Sequence, residues 1–122
     1  MERRTFRIWM GLALLVGAAA GCAAALDHPT SQDAEWASAR WPNTSLADLQ
    51  HGRALYVEKC AGCHNLPLPA QYSPEEWEGY VEYMTADAKL TKDEQSAITR
   101  YVTAASARAR GVPPSPDRQE KN

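Results

Sequence analysis

The amino-acid sequence predicts a small all-α domain of about three helices. Two stretches carry the capping-box pattern, in which a Ser or Thr that starts a helix is followed three residues later by Glu; they lie at residues 73–76 and 91–94. After each, apolar residues recur at spacings of three and four, the period of a helix with one buried face. No segment shows the alternation of apolar and polar residues that predicts a strand.

Residues 1–21 are typical of an export signal peptide. A positively charged start, with Arg3, Arg4 and Arg7, is followed by the uncharged and mostly apolar run of residues 8–20. This run is too short to span a bilayer comfortably, which disfavours the alternative of an uncleaved transmembrane anchor. We therefore expect the mature protein to be exported to the periplasmic side of a bacterial membrane.

The end of the signal resembles a lipobox, the site at which bacterial lipoproteins are lipidated on a cysteine and cleaved just before it. The residues that carry the resemblance are Ala19, Ala20, Gly21 and Cys22. It implies that a lipid on Cys22 anchors the mature protein to the membrane. The alternative is that Cys22 is incidental and that an ordinary signal peptidase cuts within residues 23–25.

Residues 22–45 are predicted to be a tether between the membrane and the domain. They are small and polar, show little periodicity and include turn-forming residues such as Pro29 and Pro42. Trp36 and Trp41 are exceptions, because two tryptophans are unusual in a linker. We expect them to dock on the domain, and a role in binding a partner is the alternative.

The first predicted helix spans residues 46–64. Thr44 or Ser45 is expected to cap it, with Asp48 in its early turns. It cannot continue through residues 65–72, which contain two prolines. One face of this helix is formed by Leu49, Gly52 and Tyr56.

The second and third helices follow the two capping boxes. The second begins at residues 73–76, with a proline in its first turn, and the third begins at residues 91–94 and ends before Gly111. These bounds predict a domain of residues 46–108 and a disordered, charged tail of residues 109–122. One face of the second helix is formed by Trp77, Tyr80, Val81 and Met84, and the predicted buried face of the third is Ala97, Ile98, Tyr101, Val102 and Ala105.

The end of the first helix carries the motif that predicts the chemistry. With Cys22 assigned to a lipid, Cys60 and Cys63 are the two cysteines left in the mature chain, and His64 follows at once; this is the spacing of a c-type haem attachment site. Two thiols at this spacing can form thioethers with the two haem vinyl groups. His64 is then the proximal iron ligand, and its second ring nitrogen is available to a backbone carbonyl such as that of Pro67.

Two other uses of a close cysteine pair are weaker. Thioredoxin-like dithiol chemistry expects a βαβ context, which the sequence does not predict. A zinc site needs four ligands, for which the mature chain offers Cys60, Cys63, three histidines and carboxylates. A covalently bound haem would also stabilise the fold, because the hydrophobic core of a domain of this size supplies little stability on its own.

The residues around the motif resemble the class I cytochrome c family, over residues 46–108. Gly52 and Tyr56 stand eight and four residues before Cys60, as do a glycine and an aromatic on the first helix of that family. The resemblance implies that they cross the last helix at Ile98 and Tyr101, where the glycine allows the two backbones to approach. It also implies a haem-centred fold and an electron-transfer function.

Met84 is predicted to be the second axial ligand. The family places its distal methionine just before the loop that leads into the last helix, and the run Trp77, Val81, Met84 is similar to a compact bacterial subgroup with short loops. The alternatives are His51 and His28. His51 lies nine residues before Cys60, about 13 Å along the helix axis, so the helix would have to break.

Taken together, these features predict an exported electron carrier with one haem c rather than an enzyme, because filled axial positions leave no open site at the iron. The alternatives are a haem subunit that supports a dehydrogenase or peroxidase partner, and a ligand-binding haem sensor. Residues 1–21 hold three of the 13 basic and one of the 15 acidic residues, which leaves 10 and 14, a net charge of −4. That balance disfavours nucleic acid and favours basic redox partner proteins.

Overall fold

The structure, a computed structural model, describes residues 26–61 and 66–114. The predicted signal peptide, the lipid site Cys22, the motif residues Cys63 and His64, and the end of the predicted tail lie outside these ranges. Within them the fold is all-α, as predicted, and contains no strand. The elements are α1 (Ser31–Arg40), α2 (Leu46–Cys60), a 3₁₀ turn (Pro69–Gln71), α3 (Pro74–Met84) and α4 (Lys92–Ala109).

Each of these helices begins with a complete capping box, in which the cap side chain and the acidic side chain three residues later each accept a backbone N–H. The predicted boxes of α3 and α4 are confirmed. Ser45 caps α2, while the neighbouring Thr44 hydroxyl donates instead to the Trp41 carbonyl at 2.7 Å. The box of α1, formed by Thr30 and Asp33, is one that the sequence analysis did not use.

Helix α1 corrects the prediction of a tether over residues 22–45 in the part that the structure describes, residues 26–45, and the described ranges hold four α-helices where about three were predicted. Its side chains pack against α2 and α4, and Trp36 is 8% exposed. Trp36 and Trp41 meet edge to face, with ring centroids 6.3 Å apart, so the expectation that both tryptophans dock on the domain is confirmed. The apolar group beneath them consists of Ala37, Leu49, Ala104 and Ala107.

Residues before α1 are also docked rather than free. Leu26 is 2% exposed and belongs to the main core. Its carbonyl accepts a hydrogen bond from Arg53 at 3.0 Å, and the Asp27 carbonyl accepts one from the Tyr101 hydroxyl at 3.0 Å. Hydrogen bonds from α2 and α4 therefore fix the chain as far back as Leu26.

Helix α4 is the central element, because α1, α2, α3 and the 3₁₀ turn all pack on it. Gly52 lies where α2 crosses α4 closely: a Cβ there would be 2.9 Å from the carbonyl carbon of Ala97 and 3.0 Å from the Cβ of Tyr101. The predicted close approach is confirmed at Tyr101, but its nearest neighbour is the Ala97 backbone rather than the predicted Ile98. The predicted face of α4 is buried at Ile98, Tyr101, Val102 and Ala105.

Candidate functional site

A mainly apolar cavity opens between the end of α2, helix α3 and the turn that leads into α4. The empty space within it is about 640 Å³ when the open solvent at its mouth is included. The four residues predicted to share one face of α3 all line it. They are Trp77, Tyr80, Val81 and Met84.

Two predicted site residues, Cys60 and Met84, line this same cavity. Each is partly buried and ends a helix: Cys60 is the last residue of α2, and Met84 is the last residue of α3. The fold therefore brings a thiol and a thioether, 24 positions apart in the chain, to one apolar space. Cys63 and His64 lie outside the described residues, between Cys60 and Pro67, which both line the cavity.

The wall of the cavity is held in place by two buried aromatic side chains. Trp77 is fully buried and donates its Nε1–H to the Pro69 carbonyl at 2.8 Å. Tyr56 meets the Trp77 ring at 90°, with centroids 5.9 Å apart, and donates its hydroxyl to the Pro67 carbonyl at 2.6 Å. The loop that follows the Cys-His motif is thus fixed by one side chain from α2 and one from α3.

The Pro67 carbonyl, or that of a neighbouring residue, is the predicted acceptor for the His64 ring. It already receives the Tyr56 hydroxyl, and a carbonyl oxygen has a second lone pair for another donor. Burial raises the pKa of Tyr56 well above its ordinary value, and burial raises the pKa of Tyr101 to about 12. Both phenols therefore stay protonated at neutral pH and keep donating to the carbonyls that they hold.

A tight turn after α3 fixes the position of Met84. Its carbonyl accepts the Ala88 N–H at 3.0 Å, and the Thr85 hydroxyl donates to the Val81 carbonyl at 2.7 Å. Lys89 closes the turn with a φ of 54°, in the left-handed region that few non-glycine residues adopt. This turn also brings Leu90 into the cavity wall.

Charged side chains at the cavity are residues that the sequence analysis missed. Lys59 and Asp87 both line it, and the Lys59 ammonium lies 3.4 Å from a carboxylate oxygen of Glu94. The signal for Lys59 was its position next to Cys60. No sequence signal indicated Asp87, because the path of the turn after α3 places it there.

The alternative axial ligands do not line this cavity. His51 is exposed and borders a separate polar cleft, with Asp48 and Asp93 beside it. His28 is also exposed, before α1, where its carbonyl lies 3.5 Å from an Arg108 nitrogen. Met84 is therefore the one of the three candidates that the fold brings to the same space as Cys60.

Comparison with known proteins gives no match: neither a family model, nor a curated protein, nor a solved structure matches this chain. In residues 26–61 and 66–114, no three His, Cys, Asp or Glu side chains form a group that could hold a metal ion. None of the helices in that same part of the chain is long and apolar enough to cross a bilayer.

Proposed function

We propose that this chain is an exported electron-transfer protein that carries one haem c in the apolar cavity. In this proposal Cys60 and Cys63 attach the haem, His64 and Met84 ligate its iron, and a lipid on Cys22 holds the protein at the membrane. One observation carries it: Cys60 and Met84, chosen from the sequence for different reasons, line the same cavity.

The residues of the cavity fit the group. Apolar walls from Val81, Leu90 and Ile98, together with the flat face of Trp77, suit a planar and largely apolar macrocycle. Cys60 lines the space and is the last residue of α2, and its thiol could bond to the periphery of such a ring. Lys59, which lines the same space, is a cation suited to a propionate.

The chain's own residues account for the expected behaviour of the site. When bound, the haem supplies a one-electron couple. Met84 offers a neutral thioether, and the buried side chains of Trp77, Val81 and Ile98 exclude water. Both features disfavour the more positive oxidised state and so favour a higher reduction potential. Tyr56 holds the loop after His64 through its bond to Pro67.

The test is to produce the full chain in a bacterium that attaches haem to exported proteins. We expect covalently bound haem, one per chain by mass, a reversible one-electron titration, and no carbon monoxide binding to the reduced form. A Cys60→Ser, Cys63→Ser double variant should carry no covalent haem. An exported wild-type chain without haem would overturn the proposal, and ready binding of carbon monoxide would favour a ligand-binding sensor instead.

Cys22→Ser is a matched cysteine variant for the same experiment. We expect it to keep its haem, since Cys22 takes no part in the attachment motif, and to appear in the soluble periplasmic fraction. If it remained membrane-bound, the lipid on Cys22 would be excluded while the haem proposal would stand.

A further inference from the structure

One face of α3 points away from the protein. It is formed by Glu75, Gly79, Glu82 and Tyr83, which are all exposed and follow one another at helical spacing. Tyr83 is 78% exposed, well above the 36% of Tyr80 on the same helix. We call this set the outer face of α3.

Gly79 has no packing role inside the protein. Among the described residues, no atom other than those of the neighbouring residues and the backbone of α3 lies within 4 Å of the position that a Cβ would take there. A glycine inside a helix costs stability relative to alanine because the flexible backbone loses more entropy on folding. Gly52, by contrast, is needed for the close crossing with α4. The bare backbone at Gly79 instead leaves room for a surface that comes from outside the protein.

The segment around this face is strongly acidic. Residues 74–88 contain five carboxylates and no Lys or Arg, and one of the five, Glu78, forms an ion pair with Arg40. The outer face therefore presents negative charge around a single exposed aromatic ring. Tyrosine is one of the residues that most often supply binding energy in the centre of protein interfaces.

The outer face lies across α3 from the cavity. Trp77, Val81 and Met84 line the cavity, and the residues of the outer face stand on roughly the opposite side of the same helix. A protein that covered the outer face would therefore be separated from the cavity by the thickness of one helix, about 10–12 Å with its side chains.

We propose that the outer face of α3 is the docking surface for a partner protein with a basic surface. The identity of that partner as a redox protein rests on the proposed function. Like charge disfavours a second copy of this chain and an anionic bilayer as occupants, because both would face the acidic segment with negative charge. The complementary charge raises the rate of association. Tyr83 and the open backbone at Gly79 form the surface that contacts the partner.

The electrostatic test uses the full chain and a lysine-rich mitochondrial cytochrome c as the cationic partner, titrated at low salt by NMR. Glu75→Gln with Glu82→Gln should weaken binding about fivefold. The matched control is Asp27→Asn with Glu35→Gln, which removes the same charge from exposed positions outside α3 and should leave binding within twofold of wild type. Equal weakening by both pairs would overturn the proposal.

The second test is Tyr83→Ala, which should weaken binding about tenfold and leave the unfolding midpoint nearly unchanged, since the side chain is largely exposed. Unchanged affinity would overturn the proposal, as would a wild-type dimer in sedimentation that Tyr83→Ala disrupts. These readouts measure binding, and haem content is measured separately. A chain without haem would therefore defeat the proposed function and still give a clear answer about the outer face.

Discussion

Gly52 and Gly79 both lie inside helices, but an alanine side chain would be crowded at the first position and unobstructed at the second. Gly52→Ala places a Cβ against the Ala97 backbone, which cannot move aside as a flexible side chain could. We expect a loss of about 1–3 kcal/mol in the free energy of unfolding, measured by denaturant titration. Gly79→Ala is the control: its Cβ meets open space, so a gain of about 0.5–1 kcal/mol is expected. Equal effects at both sites would contradict the close crossing of α2 and α4.

Substitutions can distinguish a role of the Met84 sulfur as iron ligand from a role of Met84 as part of the cavity wall. Under the proposed function, Met84→Ala should keep the haem attached but open the iron to carbon monoxide and lower the reduction potential. Leu90→Ala, which enlarges the same cavity without removing a ligand, is the control and should keep the wild-type spectrum. A Met84→Ala protein with the spectrum and potential of the wild type would exclude Met84 as the ligand.

The capping boxes make the helix starts sensitive to acid. Backbone N–H groups of Ser45, Ser73 and Thr91 hold the pKa values of Asp48, Glu76 and Glu94 below their ordinary values. A lowered folded-state pKa means that the stabilisation is present above the unfolded-state pKa and is lost as the pH falls. The urea concentration at the midpoint of unfolding should therefore stay constant above pH 4.5, the ordinary pKa of glutamate, and should decrease below that pH. In Glu76→Gln, which keeps the box without the charge, this decline should be smaller.

Helix α1 is joined to α4 by an ion pair between a buried carboxylate and a partly exposed arginine. Asp33 is 1% exposed, and one of its carboxylate oxygens lies 2.8 Å from Arg108 Nε. Asp33→Ala removes this pair and half of the capping box, and should lower the free energy of unfolding by about 1–3 kcal/mol in a denaturant titration. Asp27→Asn is the control, because Asp27 is exposed and 3.9 Å from the same Arg108; it should cost less than about 1 kcal/mol. A tether would respond to neither change.

The three helices that a local pattern predicts are present, and the one that depends on distant contacts was missed. Ser73 with Glu76 and Thr91 with Glu94 form recognisable helix starts within four residues. Helix α1 has an equally local box, but its apolar face is only Trp36 with small alanines, so its periodicity is weak. The contact that secures it joins Asp33 to Arg108, 75 positions later. No local pattern reports such a pair.

The residues of the candidate site also fall into two groups, those that a local sequence pattern predicts and those that it does not. Met84 could be predicted because it shares a helical spacing with Trp77 and Val81, which are among the most buried residues of the domain. Asp87 and Leu90 enter the cavity wall through the turn closed by Lys89, and turn geometry is not encoded in helical spacing. Sequence thus predicted the residues on regular elements and missed those that a loop carries into the wall.

Under the proposed lipidation of Cys22, the burial of Leu26 limits the distance between the folded domain and the membrane. With a lipid on Cys22, only four chain steps join the membrane to a residue that is 2% exposed, a reach of about 14 Å at full extension. A chain that was free through residue 45 would have allowed several times that distance. A protein anchored in this way would diffuse in two dimensions with its lipid, and the short connecting segment would keep its effective concentration high for partners at the same membrane surface.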